Sequence, residues 1–189
     1  MALPPGVMRR LAGPSVAVEG NTLSLETQWM LRLIALLEKP VESLPIERGR
    51  RALVNQMTLA GGQQPIGEVR DLTVAGAEGE LAARLYVPRA LVGRTEPAPL
   101  VVFFHGGGMI YGDLESHDAT VRFLAEQAGV RVVAVEYRLA PEAPFPAGVD
   151  DAWAAYCAVQ DRAAELGGDV ERMAVAGDSA GGYLSAVVA

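Results

Sequence analysis

Six residues near the end of the chain, Gly177-Asp178-Ser179-Ala180-Gly181-Gly182, carry the chemistry that the rest must position. An apolar run of strand length, Met173–Ala176, precedes them, and Tyr183–Ala189 can continue as helix. A serine with glycine two residues to either side, between strand and helix, is the nucleophile-elbow pattern G-x-S-x-G. A tight turn there lifts the Ser179 hydroxyl clear of the sheet, and small neighbours avoid collision with strand and helix. The Ala180 N–H then opens a helix, where a developing oxyanion is stabilised.

A second cluster, His105-Gly106-Gly107-Gly108, follows the apolar run Leu100–Phe104. Sites on open parallel sheets lie at the carboxyl ends of strands, so this cluster and Ser179 belong on one rim. Its glycines leave backbone N–H groups free to approach a ligand. A dinucleotide loop is excluded, because Tyr111 stands where the third glycine of G-x-G-x-x-G belongs. An H-G-G-G loop in this context supplies the other half of an oxyanion hole. Removing one such donor costs about 3–4 kcal/mol of transition-state stabilisation, so Gly107 and Gly108 are expected to resist bulky replacement.

The elements that must hold these groups are legible in outline. Residues 1–64 read as a helical segment and 65–189 as the body that carries the chemistry. Leu25, Trp29, Leu33 and Leu36 recur at helical spacing, giving an amphipathic helix over Glu26–Glu38 that stops near Pro40. Its apolar stripe reads as a packing face; only Arg32 and Lys39 lie near it as cations, too few for a membrane-surface helix. A second helix covers Glu47–Leu59 and ends at Gly61-Gly62.

From Glu68 the period changes to that of strands. Glu68–Val74 and Leu81–Val87 form an antiparallel first pair, with Leu81, Ala83, Leu85 and Val87 on one face. Leu100–Phe104 and Val130–Val135 read as strands buried on both faces. Between them a helix begins near Ser116 with the stripe Val121, Leu124, Ala125, Ala128, closed by Gly129. Phe145–Leu166 is expected as helix, with Val149, Ala152, Trp153 and Tyr156 on its stripe, and Met173–Ala176 as the last strand. Alternating strand and helix means an α/β fold with a mostly parallel sheet.

Composition narrows the class. Of 189 residues 50% are apolar and 21% charged, which supports a packed core rather than disorder. The net charge of −7 is spread along the chain, against nucleic acid or an anionic membrane as partner. The one cysteine, Cys157, allows no internal disulfide and fits a reducing, cytoplasmic setting; its apolar neighbours suggest burial. No run approaches the ~18 apolar residues of a spanning helix.

Taken together, the motifs HGGG at 105–108, Gly112-Asp113 with His117-Asp118, Tyr137–Glu142, Phe145-Pro146-Ala147 and GDSAGG at 177–182 resemble the hormone-sensitive-lipase-like branch of the α/β-hydrolases. These are microbial carboxylesterases. The likeness covers residues 68–189, while 1–64 is similar only in character to that family's helical cap segment. The resemblance implies an α/β-hydrolase fold without cofactor or metal, acting on small apolar esters with short acyl chains. It implies Ser179 as nucleophile, Gly107, Gly108 and Ala180 as oxyanion donors, and His105 as a support of the glycine loop rather than the base. His117 falls near a helix start in the family pattern, again not as base, and Tyr137–Glu142 matches a structural turn with Arg138 and Glu142 available for pairing. Asp178 reads as local polar support within the elbow. Met109 and Tyr183 depart from the family's usual aromatic and asparagine, which bears on acyl or alcohol preference.

A serine hydroxyl needs a base to take its proton and a third group to orient that base. In this fold class their chain order is Ser, then Asp or Glu, then His. The ten residues from Ala180 to Ala189 contain neither acid nor histidine, and the two histidines of the chain both lie upstream. The expectation is therefore an α/β-hydrolase fold truncated after the elbow, inactive by itself. The competing expectation is a non-catalytic small-molecule binder of the same superfamily.

Overall fold

A computed structural model describes residues 4–37 and 40–189. Contacts divide the chain into two units, Met1–Ala52 and Leu53–Ala189.

In the first unit, α1 (Pro5–Ala12) is followed by a short antiparallel pair, β1 (Ala17–Val18) and β2 (Asn21–Thr22), and then by α2 (Leu25–Leu37). The expected end of α2 at Glu38, and the Lys39 cation, lie outside the described residues. The expected stripe is not the buried face. Leu25, Trp29 and Leu33 are half-buried and Leu36 is exposed, whereas Gln28 is buried. The Gln28 amide donates to the carbonyls of Ala12 (2.7 Å) and Pro14 (2.6 Å) and accepts from the Val16 N–H (3.2 Å). The last carbonyls of a helix have no partner within it, and Gln28 satisfies that of Ala12, the final residue of α1. Period alone hid this, because an apolar count gives a buried amide no weight.

Helix α3 (Ile46–Gly61) crosses the division. It ends as expected: Gly62 turns left-handed and its N–H reaches Thr58 O at 3.1 Å.

The second unit is a five-stranded sheet, in the order β3 (Glu68–Ala75), β4 (Glu80–Val87), β6 (Arg131–Val135), β5 (Ala98–Phe104), β7 (Gly168–Gly177). Only β4 runs against the others: it pairs antiparallel with β3 and β6, while β5 pairs parallel with β6 and β7. Alternate side chains of β5 divide between two cores. Leu100, Val102 and Phe104 join Leu81, Ala83, Leu85 and Val87 of β4 under α5 (Ala147–Asp161) and α6 (Ala180–Val188). Phe103 joins Tyr86, Val132 and Ala134 beneath Val121 and Ala125 of α4 (Leu114–Ala128). Full burial of each large side chain contributes ~1.5–3 kcal/mol, so both faces hold the sheet.

Helix α4 is delimited by sequence-local chemistry. Asp113 accepts from the Ser116 N–H while the Ser116 hydroxyl accepts from the Asp113 N–H, and Gly129 closes the helix left-handed. Ala128 of its expected stripe is exposed.

Four expectations need correction. Helix α5 runs over Ala147–Asp161, and the chain then turns, so Ala163 and Leu166 reach the core from non-helical backbone. The buried stripe of α5 is Ala152, Ala155 and Val159; Trp153 is 55% exposed, because small residues let the helix approach the sheet closely. Cys157 is half-buried. Strand β7 begins at Gly168, five residues earlier than its apolar run, with its polar residues on the exposed edge of the sheet.

Candidate active site

The parallel register decides the site. Phe104 of β5 lies opposite Gly177 of β7, so His105 and Asp178 leave neighbouring strands at the same level. The Gly106 N–H donates to Asp178 Oδ1 at 2.8 Å, joining the glycine loop to the serine turn.

Ser179 is the N-cap of α6 and carries φ +50°, ψ −116°, a conformation side-chain-bearing residues seldom adopt. Its side chain is exposed and makes no cap bond to its own helix. Such a turn demands bare backbone around it. A Cβ on Gly181 would lie 1.9 Å from Phe104 O, and one on Gly177 would lie 2.4 Å from Gly181. The glycines of the pattern are thus explained by strand and helix passing at backbone contact.

In the loop, Gly107 has φ +119°, and a Cβ there would meet Tyr111 O at 2.2 Å. Gly108 has φ +64° and open space around the same position. Met109 is left-handed too, at φ +61°, and its carbonyl accepts from the Ala140 N–H at 2.8 Å. Ala180, the first residue of α6, directly follows the strained serine.

The two histidines differ. His105 is 2% exposed and stacks on Tyr137 with ring centroids 4.4 Å apart. Its Nδ1–H donates to Gly106 O at 2.9 Å, and the Tyr137 hydroxyl donates to His105 O at 2.7 Å. Burial pushes the imidazole down to about 4, and its Nε2 has no hydrogen-bond partner among the described residues. The enclosed ring is thus bound to the glycine loop through Gly106 O and stacked on Tyr137.

His117, in the first turns of α4, lies with Nε2 3.2 Å from Asp178 Oδ1, while its Nδ1 is 3.0 Å from the Ser116 hydroxyl. A proton on Nε2 donates to Asp178, while Nδ1 faces the Ser116 hydroxyl, which itself donates to Asp113 O at 3.0 Å. The longer 3.4 Å approach of the Gly106 N–H to Nε2 competes poorly with its 2.8 Å bond to Asp178. Burial works to raise the Asp178 carboxyl. The hydrogen bond and charge of His117, with the Gly106 N–H, outweigh it and hold the group below its ordinary value. The local reading of Asp178 did not include His117, because the two are sixty-one positions apart (178 − 117).

The turn Tyr137–Glu142 is tied down by a residue the sequence did not single out. Asp151 is fully buried and accepts from the Arg138 backbone N–H, Nε and Nη2 and from the Ala77 N–H. Burial would raise its carboxyl, but these donors keep it lowered. The missed signal was an aspartate on the apolar stripe of α5, since a buried carboxylate requires a cation.

Glu136, directly after β6, is the other functional candidate the sequence left unmarked. Its carboxylate accepts from the Leu114 N–H at 2.8 Å, and burial raises it to about 7 despite that bond.

A strained serine directly after β7, at the same level as a glycine loop leaving the adjacent parallel strand β5, is the arrangement of an α/β-hydrolase core. Residues 101–189 match the model of an alpha/beta hydrolase fold family. Carboxylic ester hydrolase LipN of Mycobacterium tuberculosis is 42% identical over 94% of this chain and 47% of its own length. Ethyl acetate hydrolase of Pseudomonas putida is 38% identical over 79% of this chain and 48% of its own. The solved esterase of Pyrobaculum calidifontis superposes with a TM-score of 0.73 at 40% identity, covering 83% of this chain and 50% of that one. The chain has an α/β-hydrolase fold and is similar to carboxylesterases of the hormone-sensitive-lipase-like branch. It spans about half the length of the curated relatives it matches.

Proposed function

We propose that this protein hydrolyses carboxylic esters through Ser179, with Gly107, Gly108 and Ala180 as amide donors to the tetrahedral oxyanion. The single observation carrying this reading is the strained, exposed Ser179 beside a glycine loop that the Gly106–Asp178 bond holds at its level. The serine oxygen adds to the ester carbonyl, the amides stabilise the alkoxide, the alcohol departs, and water releases the acid. His105 and Asp178 are supports in this scheme. Residues 1–64 form a cap segment and 65–189 the amino-terminal part of the catalytic domain.

Neither histidine serves as base: one is enclosed and neutral, the other is engaged by Asp178 and Ser116. The base and its orienting acid therefore come from residues outside these 189, and the 189-residue chain alone is expected to be inactive. Half-length coverage of the relatives supports that division. Short acyl esters are the favoured substrates, in keeping with the relative named ethyl acetate hydrolase. The setting is cytoplasmic, without stable membrane association. Among the described residues no helix is long and apolar enough to cross a membrane.

The test compares hydrolysis of p-nitrophenyl acetate and butyrate by a protein extended beyond Ala189 with its Ser179→Ala variant. Loss of turnover in the variant supports the proposal. Equal turnover by both sinks it, and absence of turnover with retained ester binding favours a non-catalytic binding protein.

A further inference from the structure

At the opposite end of the sheet, where β6 and β5 begin, lies a cavity of about 280 Å³ lined by three arginines, Arg70, Arg94 and Arg131. Arg131 pairs with Leu100 at the first rung of the parallel ladder, whereas Phe104 marks the Ser179 end. Four residues of strand separate the two levels, about 13 Å. The cavity is therefore distinct from the ester site.

Arg131 is 8% exposed, and its guanidinium lies between two walls of the cavity. Its Nη2 reaches the Leu91 carbonyl at only 3.5 Å, and a Cβ on Gly167 would fall 2.8 Å from its Cζ. Its Nε has no partner among the described residues. An arginine carries five N–H donors and keeps its charge, so a buried one with unpartnered donors is costly. Burial lowers its affinity for the proton, and the attraction of Glu68 is partly offset by Arg70. Neither Arg70 nor Arg94 forms an ion pair among the described residues, and both are exposed on the rim. Of the two acids lining the cavity, Glu165 is engaged by Arg162 at 2.9 Å. Glu165 also feels the charge of Arg70, so two acids, one of them already paired with Arg162, face three arginines. In a chain of net charge −7 this local excess of cations is unusual.

We propose that this cavity is a binding site for a small oxyanion, its phosphate or carboxylate oxygens held by the Arg131 guanidinium with Arg70 and Arg94 closing over it. A planar guanidinium with free donors matches such oxygens in a two-pronged contact. The volume is at the small end of ligand pockets and suits an ion or a short acid rather than a long-chain molecule.

The experiment is a titration of the 189-residue chain with inorganic phosphate, followed by the ¹⁵Nε–¹H signal of Arg131, with sodium chloride matching the ionic strength. A parallel titration with acetate distinguishes a phosphate from a carboxylate ligand. The expected result is a saturable shift of that signal by one of the two, absent with chloride. Arg131→Gln is expected to weaken binding more than about tenfold, since it removes the charge and the fork of donors. Should that variant not fold, the doubly substituted rim, Arg70→Gln with Arg94→Gln, is expected to weaken binding about fivefold with Arg131 intact. No saturable shift with either anion, an equal response to chloride, or unchanged affinity in the rim variant overturns the proposal.

Discussion

Asp178 Oδ1 takes the Gly106 N–H at 2.8 Å and lies 3.2 Å from His117 Nε2, so one carboxylate oxygen connects the serine turn, the glycine loop and α4. Removing it leaves the Gly106 N–H without its short bond, which costs ~1–3 kcal/mol. Asp178→Ala is expected to lower the urea midpoint, and Asp178→Asn to lower it less, because an amide oxygen still accepts from Gly106. In the extended protein, kcat is expected to fall about tenfold or more in Asp178→Ala as the amide cradle loses its anchor. The sign with pH follows from the lowered carboxyl: its stabilisation is present above the unfolded value and is lost as pH falls through the folded one. Equal midpoints for wild type and both variants at neutral pH would refute this role.

Ser179 sits at φ +50°, where backbone strain of ~1–3 kcal/mol is stored. Ser179→Gly relieves the strain at an unfolded-state entropy cost of ~0.5–1 kcal/mol, so strain relief wins. The glycine variant is expected to be more stable than wild type by about 1 kcal/mol and, in the protein extended beyond Ala189, to lose all hydrolysis. Ser179→Ala keeps the Cβ and serves as the control. Denaturation curves that rank glycine below alanine would show that the turn is unstrained.

The two glycines proposed as oxyanion donors are not equivalent. Gly107→Ala places a methyl 2.2 Å from the Tyr111 carbonyl, whereas Gly108→Ala points into open space. Both pay the left-handed penalty of ~1–2 kcal/mol, but only Gly107 adds an overpacking cost of ~1–3 kcal/mol. A thermal melt is expected to show a clear drop for Gly107→Ala and a small one for Gly108→Ala. The reverse order would mean the loop is packed differently.

His105 and Glu136 make opposing contributions to stability as pH changes. The His105 pKa is lowered to about 4, so unfolding takes up a proton between there and ~6.5, and stability falls as pH drops through that window. The Glu136 pKa is raised to about 7, so its contribution is present below ~4.5 and is lost as pH rises toward 7. Each amounts to about 3 kcal/mol, and between pH ~4.5 and ~6.5 the two slopes oppose each other. Glu136→Gln removes one of them while its amide oxygen still accepts from Leu114. Urea midpoints of the variant, measured against wild type, are expected to climb with pH across that interval by an amount wild type does not show. Parallel curves would dismiss the buried carboxyl as the cause.

The elements that position the site were legible where one local rule decides them. The serine turn, the Asp113–Ser116 cap, Gly129 and the alternating face of β4 each follow from neighbours within a few residues. What failed were the places where a distant partner overrides the local pattern. Gln28 is buried because α1 ends against it, and Trp153 is exposed because alanines set the approach of α5 to the sheet. The glycine loop was found, but its attachment to Asp178 and His117 was not, since a motif records what a segment needs and not which remote side chain meets that need.

The chain by itself determined a serine between glycines after a strand, a glycine tract after another strand, and the absence of a third histidine. These are properties of local backbone freedom and of side-chain inventory, and neither depends on folding. Tertiary structure alone decided that Phe104 and Gly177 stand level, that one oxygen of Asp178 serves two segments, and that the Nε of the enclosed Arg131 has no hydrogen-bond partner among the described residues. Strand register and burial arise from all the contacts of the sheet at once, and charge acquires its energetic meaning only when water is removed from around it.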